Sequence, residues 1–121
     1  MKLRELFEKI NEEIASEQGV IQKEWFDEFL YQFDEFNEFL NENKETIIES
    51  VEKSEVDEHR WYGTQFIVFK ISNGDDVVYI GVRLVTQSYS EMQSIEDVYW
   101  GVNELKFMKP KTITTTIYEE E

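Results

Sequence analysis

The sequence predicts an α+β fold, with two or three N-terminal helices packed on a four-stranded, mostly antiparallel sheet. Three observations predict it. Apolar residues recur at helical spacing through the first half of the chain. From Trp61 onward the chain turns to β-branched and aromatic residues. Asn73-Gly74 then separates two apolar runs, a strong local signal of a β-hairpin. The 121 residues are read as a single domain, residues 1–121, with a helical part over about 2–54 and a β-rich part over about 60–118. With 40% apolar and 15% aromatic residues, the chain has enough core material to fold without a metal or disulfide.

Taken in order, Leu3, Leu6, Phe7, Ile10 and Ile14 stand at i, i+3, i+4, i+7 and i+11, one face of a helix running from Lys2 to about Ser16. Gly19 is a natural stop. A second helix is expected from about Gln22 to Glu42. At about 100° per residue, Trp25, Phe26, Phe29, Leu30, Phe33, Phe36 and Leu40 share one broad face. Phe39 falls at the border of the opposite face. A third, shorter helix is expected from about Lys44 to Ser54, with Ile47, Ile48 and Val51 set against Glu45, Glu49 and Glu52, and Asn43 as its N-cap.

The β-rich half begins with a strand from Trp61 to Ser72 that is apolar on both faces. After the Asn73-Gly74 turn, Val78, Ile80, Val82 and Leu84 share one face of a strand from Val77 to Thr86. Gln87 to Asp97 reads as a loop with a short helical turn opening at Ser94. Val98–Phe107 and Lys111–Tyr118 read as a last pair of strands joined near Pro110, with Ile113 and Ile117 alternating with threonines. A curved, cone-shaped sheet of the NTF2-like kind is the alternative architecture.

Catalytic chemistry finds little support. The chain has no cysteine, which excludes disulfides, thiolate nucleophiles and Cys-based metal sites. Its one histidine, His59, stands two residues from Asp57 at a strand edge, without a third ligand at metal-binding spacing. Asp75-Asp76 lacks the calcium-loop pattern and reads as turn. Phosphate-loop, dinucleotide and nucleophile-elbow motifs are absent. The sequence therefore predicts a non-enzymatic protein with no cofactor and no metal site. Lys106, Lys109 and Lys111 are the one basic cluster, read as guards of an edge strand.

Charge is the most informative global property. Twenty-seven Asp and Glu oppose twelve Lys and Arg, a formal net charge of −15. Such a surface repels nucleic acid and anionic membranes and attracts basic proteins. The expected partner is thus a basic protein, with no direct nucleic-acid or membrane contact. Met1-Lys2-Leu3-Arg4-Glu5 carries no apolar signal core, and no apolar run reaches membrane-spanning length, so a cytoplasmic location is expected.

The charge concentrates on the second predicted helix. Glu24, Asp27, Glu28, Asp34, Glu35, Glu38 and Glu42 fall on the face opposite the apolar one, and no Lys or Arg lies between Lys23 and Lys44. On one continuous helix these carboxylates span about 27 Å, about one charge per 4 Å. A DNA strand carries one phosphate per about 3.4 Å. Like charges one turn apart oppose helix formation, so the stripe has an energetic cost that a merely solvated face would avoid by interleaving lysines. Tyr31 stands in the middle of the stripe, the residue type favoured as an interface anchor. These eight residues are the candidate partner-binding set.

The acidic stripe, in a cysteine-free helix-plus-sheet chain, resembles the small acidic inhibitors of anti-CRISPR and anti-restriction type that phages and mobile elements deploy as DNA mimics. The resemblance is to a functional class and rests on no diagnostic motif. It implies a protein, acting in the host cytoplasm if phage-encoded, that blocks the basic DNA- or RNA-binding groove of a defence nuclease or effector complex. Two other readings stand beside it. One is an immunity protein that neutralises a basic toxin nuclease. The other is a small-molecule-binding NTF2-like domain whose pocket Trp61, Tyr79, Tyr99 and Trp100 would line.

Overall fold

The computed structural model describes residues 1–89, 94–114 and 116–121. It is an α+β protein. Helix α1 (Leu3–Ser16) is followed by a short strand β1 (Val20–Ile21), then by α2 (Phe26–Leu30) and α3 (Asp34–Glu42). Strands β2 (Ile47–Lys53), β3 (Asp57–Glu58), β4 (Tyr62–Asn73) and β5 (Asp76–Ser88) come next, then a 3-10 turn at Ile95–Asp97, β6 (Gly101–Val102) and β7 (Lys106–Met108). The main sheet has the order β2-β4-β5-β7 and all its pairings are antiparallel. β3 pairs with the edge of β4 that β2 uses, because β5 occupies the other edge along its length. β1 and β6 form a separate two-stranded ladder.

Helix α1 buries the five residues that its periodicity selects: Leu3, Leu6, Phe7, Ile10 and Ile14. Its other ties are polar. The backbone N–H of Leu3 donates to Asp76 Oδ2 at 2.8 Å. The Asn11 side chain donates to the Leu105 carbonyl and accepts from the Leu105 N–H, both at 2.8 Å, and so acts as a strand partner for that residue. The left-handed position that closes the helix falls one residue before the expected glycine. Gln18 adopts φ 58°, while Gly19 N–H reaches the Ile14 carbonyl and Gln18 N–H the Ala15 carbonyl. This is a Schellman closure with glutamine at the position that favours glycine. Gln18→Gly is therefore expected to stabilise the protein by about 0.5–1 kcal/mol, read as a higher denaturation midpoint with an unchanged m-value.

The expected helix over Gln22–Glu42 is broken in two. Residues before Phe26 are not helical: Trp25 is extended, and Phe26 takes the core position, its ring stacked 4.2 Å from that of Phe69. A second break falls at Phe33, with φ −103° and ψ 124°. Two amides make it possible. The Asn37 side chain donates to the carbonyls of Tyr31 (2.8 Å) and Phe33 (3.2 Å), and the Gln32 side chain reaches the Ile21 carbonyl at 3.3 Å. The break re-phases the aromatic residues. Phe39, expected at the border of the acidic face, turns inward to 4% exposure, while Trp25, expected in the core, is left 61% exposed.

The third helix expected over Lys44–Ser54 is strand β2 instead, so the helical part of the chain ends at Glu42. Thr46, Ile47, Ile48 and Val51 are β-branched and suit a pleated edge better than a helix. Asn43 closes α3 from its C-terminal side: its amide donates to the Phe39 carbonyl, and its Oδ1 accepts from the Asn73 side chain.

The hairpin forms as expected, with Asn73 opposite Asp76 and Gly74 at φ 62° in the turn. Val78, Ile80, Val82 and Leu84 all face the helices and are buried. On the opposite face, the Phe66 ring lies over Gly81 so closely that a Cβ there would stand 2.4 Å from Phe66 Cζ. The Gln87–Asp97 loop is shorter than expected, since β5 runs to Ser88; residues 90–93 of it lie outside the described part. Its helical turn does open at Ser94, in a capping box with Asp97. The expected strand over Val98–Phe107 is divided into β6 and β7. The last expected strand, Lys111–Tyr118, is not seen in its described residues, which are irregular and exposed, while residue 115 lies outside the described part. Pro110 removes a backbone donor just where a strand would leave the three-residue β7. No described helix is long and apolar enough to cross a membrane.

Candidate partner-binding surface

The eight candidate residues do not form one stripe, because the helix that would carry them is not continuous. They divide into two neighbourhoods.

The first lies across α1 and α3. Asp34, Glu38 and Glu42 stand at i, i+4 and i+8 of α3 and are all exposed. Glu35 is half-buried and turned toward Glu13 of α1. Burial first, then the neighbouring Glu35, Glu17 and Asp34 carboxylates, push the Glu13 carboxyl above its ordinary value. Glu35 Oε2 is shielded from water and lacks a hydrogen-bond donor. A proton held on Glu13 would supply one to the Glu35 carboxylate. Two helices thus pool acids on one face, and every charged neighbour that shifts Glu13 is itself acidic. Among the described residues the one ion pair is Arg4–Glu8 at 3.4 Å, on exposed positions of α1.

This arrangement has a stability consequence. A carboxyl whose folded-state pKa is raised stabilises the fold when protonated, and that contribution is lost as pH rises through the raised value. Ionised Glu13 therefore opposes folding at neutral pH. Glu13→Gln should raise the unfolding free energy at pH 7 by about 0.2–0.5 kcal/mol, the scale of one like-charge helical pair. The gain should vanish near pH 3, where both proteins carry a neutral side chain at position 13. Urea titrations at the two pH values check it.

The second neighbourhood surrounds Trp25. Asp27 and Tyr31 line an open cleft of about 380 Å³ together with Trp25, Phe26, Leu40, Ile48 and Phe69. Glu24 lines a neighbouring cleft of about 360 Å³ that shares Trp25, Phe26, Ser50 and Phe69. Tyr31 is 47% exposed at the C-terminal end of α2, its ring 5.8 Å from that of Phe36. Glu28 is exposed on α2 and lines neither cleft.

First-turn acids were the readable sign of this division. Asp27-Glu28 and Asp34-Glu35 each open a helix, where carboxylates complement the positive end of the helix dipole. Part of the local acidity therefore serves the helix starts. Glu13 and Glu17 were missed, because nothing in the sequence says that α1 lies against α3.

The alternative pocket does not assemble. Trp61 is exposed with the Arg60 guanidinium 4.9 Å over its ring, and Tyr99 is exposed. Trp100 Nε1–H donates to the Arg83 carbonyl and lines a different cleft from Tyr79. His59 stacks on Tyr62 at 4.7 Å. Among the described residues no cluster of three or more His, Asp or Glu side chains is placed to hold a metal ion.

The fold and surface thus define an acidic α+β protein with one charged two-helix face and one aromatic cleft. Comparison with protein-family models, with curated proteins and with solved structures returned no match.

Proposed function

We propose that this protein is a non-enzymatic inhibitor that binds a basic partner through its acidic helical surface and blocks a groove in which that partner holds DNA or RNA. The observation that carries the reading is the gathering on one face of Glu13 and Glu17 from the end of α1 with Asp34 and Glu35 from the start of α3, where burial first and then these neighbours push the Glu13 carboxyl above its ordinary value. Like charges held together in this way weaken the fold, and a basic groove would relieve the repulsion on binding. The partner class is a nucleic-acid-binding enzyme or effector complex, as for DNA-mimic inhibitors of anti-CRISPR or anti-restriction type. Long-range attraction would make association fast and steeply salt-dependent.

The test is affinity capture from nuclease-treated bacterial lysate at about 50 mM and about 500 mM salt, with bound proteins identified by mass spectrometry. The reading expects a basic nucleic-acid enzyme that is retained at low salt, released at high salt and displaced by added duplex DNA or RNA. Capture of no basic protein at low salt, or capture that nucleic acid does not displace, would overturn it.

A further inference from the structure

We infer that the cleft beside Trp25 is a receptor for an arginine side chain of the partner. This deepens the proposed function, on which it rests, by naming what one part of the partner must carry. The cleft lies between α2 and the inner face of β2 and β4. Its floor is fixed: Phe26 stacks on Phe69 at 4.2 Å and is itself flanked by Phe29 at 6.1 Å. Its walls are aromatic and aliphatic, from Trp25, Tyr31, Leu40 and Ile48. Among the described residues Asp27 is the one charged group that lines it, and Thr46 and Ser50 add hydroxyls.

That composition selects a chemistry. A purely apolar ligand would leave the Asp27 carboxylate desolvated beside it, at a cost. An anion would meet Asp27 directly, among the described residues the one charged group lining this cleft; the neighbouring cleft is lined by Glu24 and by Lys53. A cation on an apolar stem satisfies both parts of the lining. The stem covers Leu40 and Ile48, and the charge meets the carboxylate and the aromatic faces. Guanidinium fits better than ammonium, because its plane stacks on an indole while its fork bonds a carboxylate with two N–H groups. Asp27 keeps acceptor capacity for this: among the described residues its side chain makes one hydrogen bond, Oδ1 accepting from the Glu28 N–H at 2.9 Å. Trp25 is 61% exposed although it belongs to the residue type most favoured at binding hot spots. No ion pair among the described residues engages Asp27.

The test uses the whole protein and blocked short peptides Gly-Arg-Gly, Gly-Lys-Gly and Gly-citrulline-Gly, followed by 15N NMR. The arginine peptide is expected to shift the Trp25 indole N–H and the amides around Asp27, Tyr31 and Ile48. Binding should be about tenfold weaker for the citrulline peptide, which keeps the shape and loses the charge. Trp25→Ala and Asp27→Asn should each weaken the arginine peptide by about fivefold or more. Both positions lie outside the core, so the folded spectrum should persist. Glu35→Lys with Glu38→Lys, on the α1/α3 face, should leave peptide binding at Trp25 intact. That control separates this inference from the proposed function: partner capture unchanged by this pair, with an intact arginine site, would count against the acidic face alone. Shifts scattered over many carboxylates, equal binding of arginine and citrulline, or wild-type binding by both cleft variants would overturn the arginine site.

Discussion

Phe29→Ala is expected to lower the unfolding free energy by about 3–5 kcal/mol, a far larger effect than any surface change should have. Phe29 has no exposed surface. Its ring lies 6.1 Å from Phe26 in a stacked pair and 5.5 Å from Phe33 edge to face. These contacts hold α2, a helix of only five residues, in place. So short a helix has no stability of its own and depends on packing. Truncating the ring removes apolar burial, leaves a cavity and loses both aromatic contacts. Urea denaturation checks this. A loss below about 1 kcal/mol would mean that the cluster is not packed as described, or that the site collapses to fill the space.

Glu35→Lys combined with Glu38→Lys is expected to weaken binding to the captured basic partner by about a hundredfold while the fold is retained. The fold should tolerate the change because the lysine introduced at position 35 would face Glu13, turning a repulsive neighbour into an attractive one. Glu38 is exposed on α3. The partner's basic groove would meet two positive charges in place of two negative ones. Affinity by calorimetry and thermal stability of the variant give the two readouts. Unchanged affinity would remove the α1/α3 face from the interface.

Much of the fold was legible in the chain. The periodicity of α1 named its five buried residues, Asn73-Gly74 marked the hairpin, and alternation gave the inward face of β5. These succeed because each pattern is local and matches one period. The second predicted helix failed because its residues fit one helical face too well. Seven apolar residues over Trp25–Leu40 satisfy a continuous helix, yet Phe26 stacks on Phe69 of β4 while Phe36 and Phe39 are buried on α3, a helix that packs against α1. Breaking the helix at Phe33 permits both, and only tertiary packing decides it. The third predicted helix failed for the converse reason. Ile47, Ile48 and Val51 fit a helical spacing, but their branching favours an edge strand, and β4 supplies a partner that the sequence cannot show.

The candidate surface was legible in type and not in arrangement. The eight residues named from the sequence are surface or near-surface groups, with Asp27 and Glu35 partly buried. Their grouping changed: Glu35 joined Glu13 across two helices, and Asp27 and Tyr31 joined Trp25 around a cleft. A linear charge density close to that of DNA therefore belongs to the idealised helix and not to the folded surface. What replaces it is a two-helix patch in which Glu35, Glu17 and Asp34 add to burial in raising the Glu13 carboxyl above its ordinary value.

The most direct measurement is the affinity of the protein for its captured partner with and without saturating duplex DNA or RNA, repeated over a salt series. A basic-groove inhibitor should bind competitively with the nucleic acid, and its affinity should fall steeply and linearly on a log–log plot against salt. Simultaneous binding of protein and nucleic acid, with a flat salt dependence, would contradict inhibition through the acidic helical face.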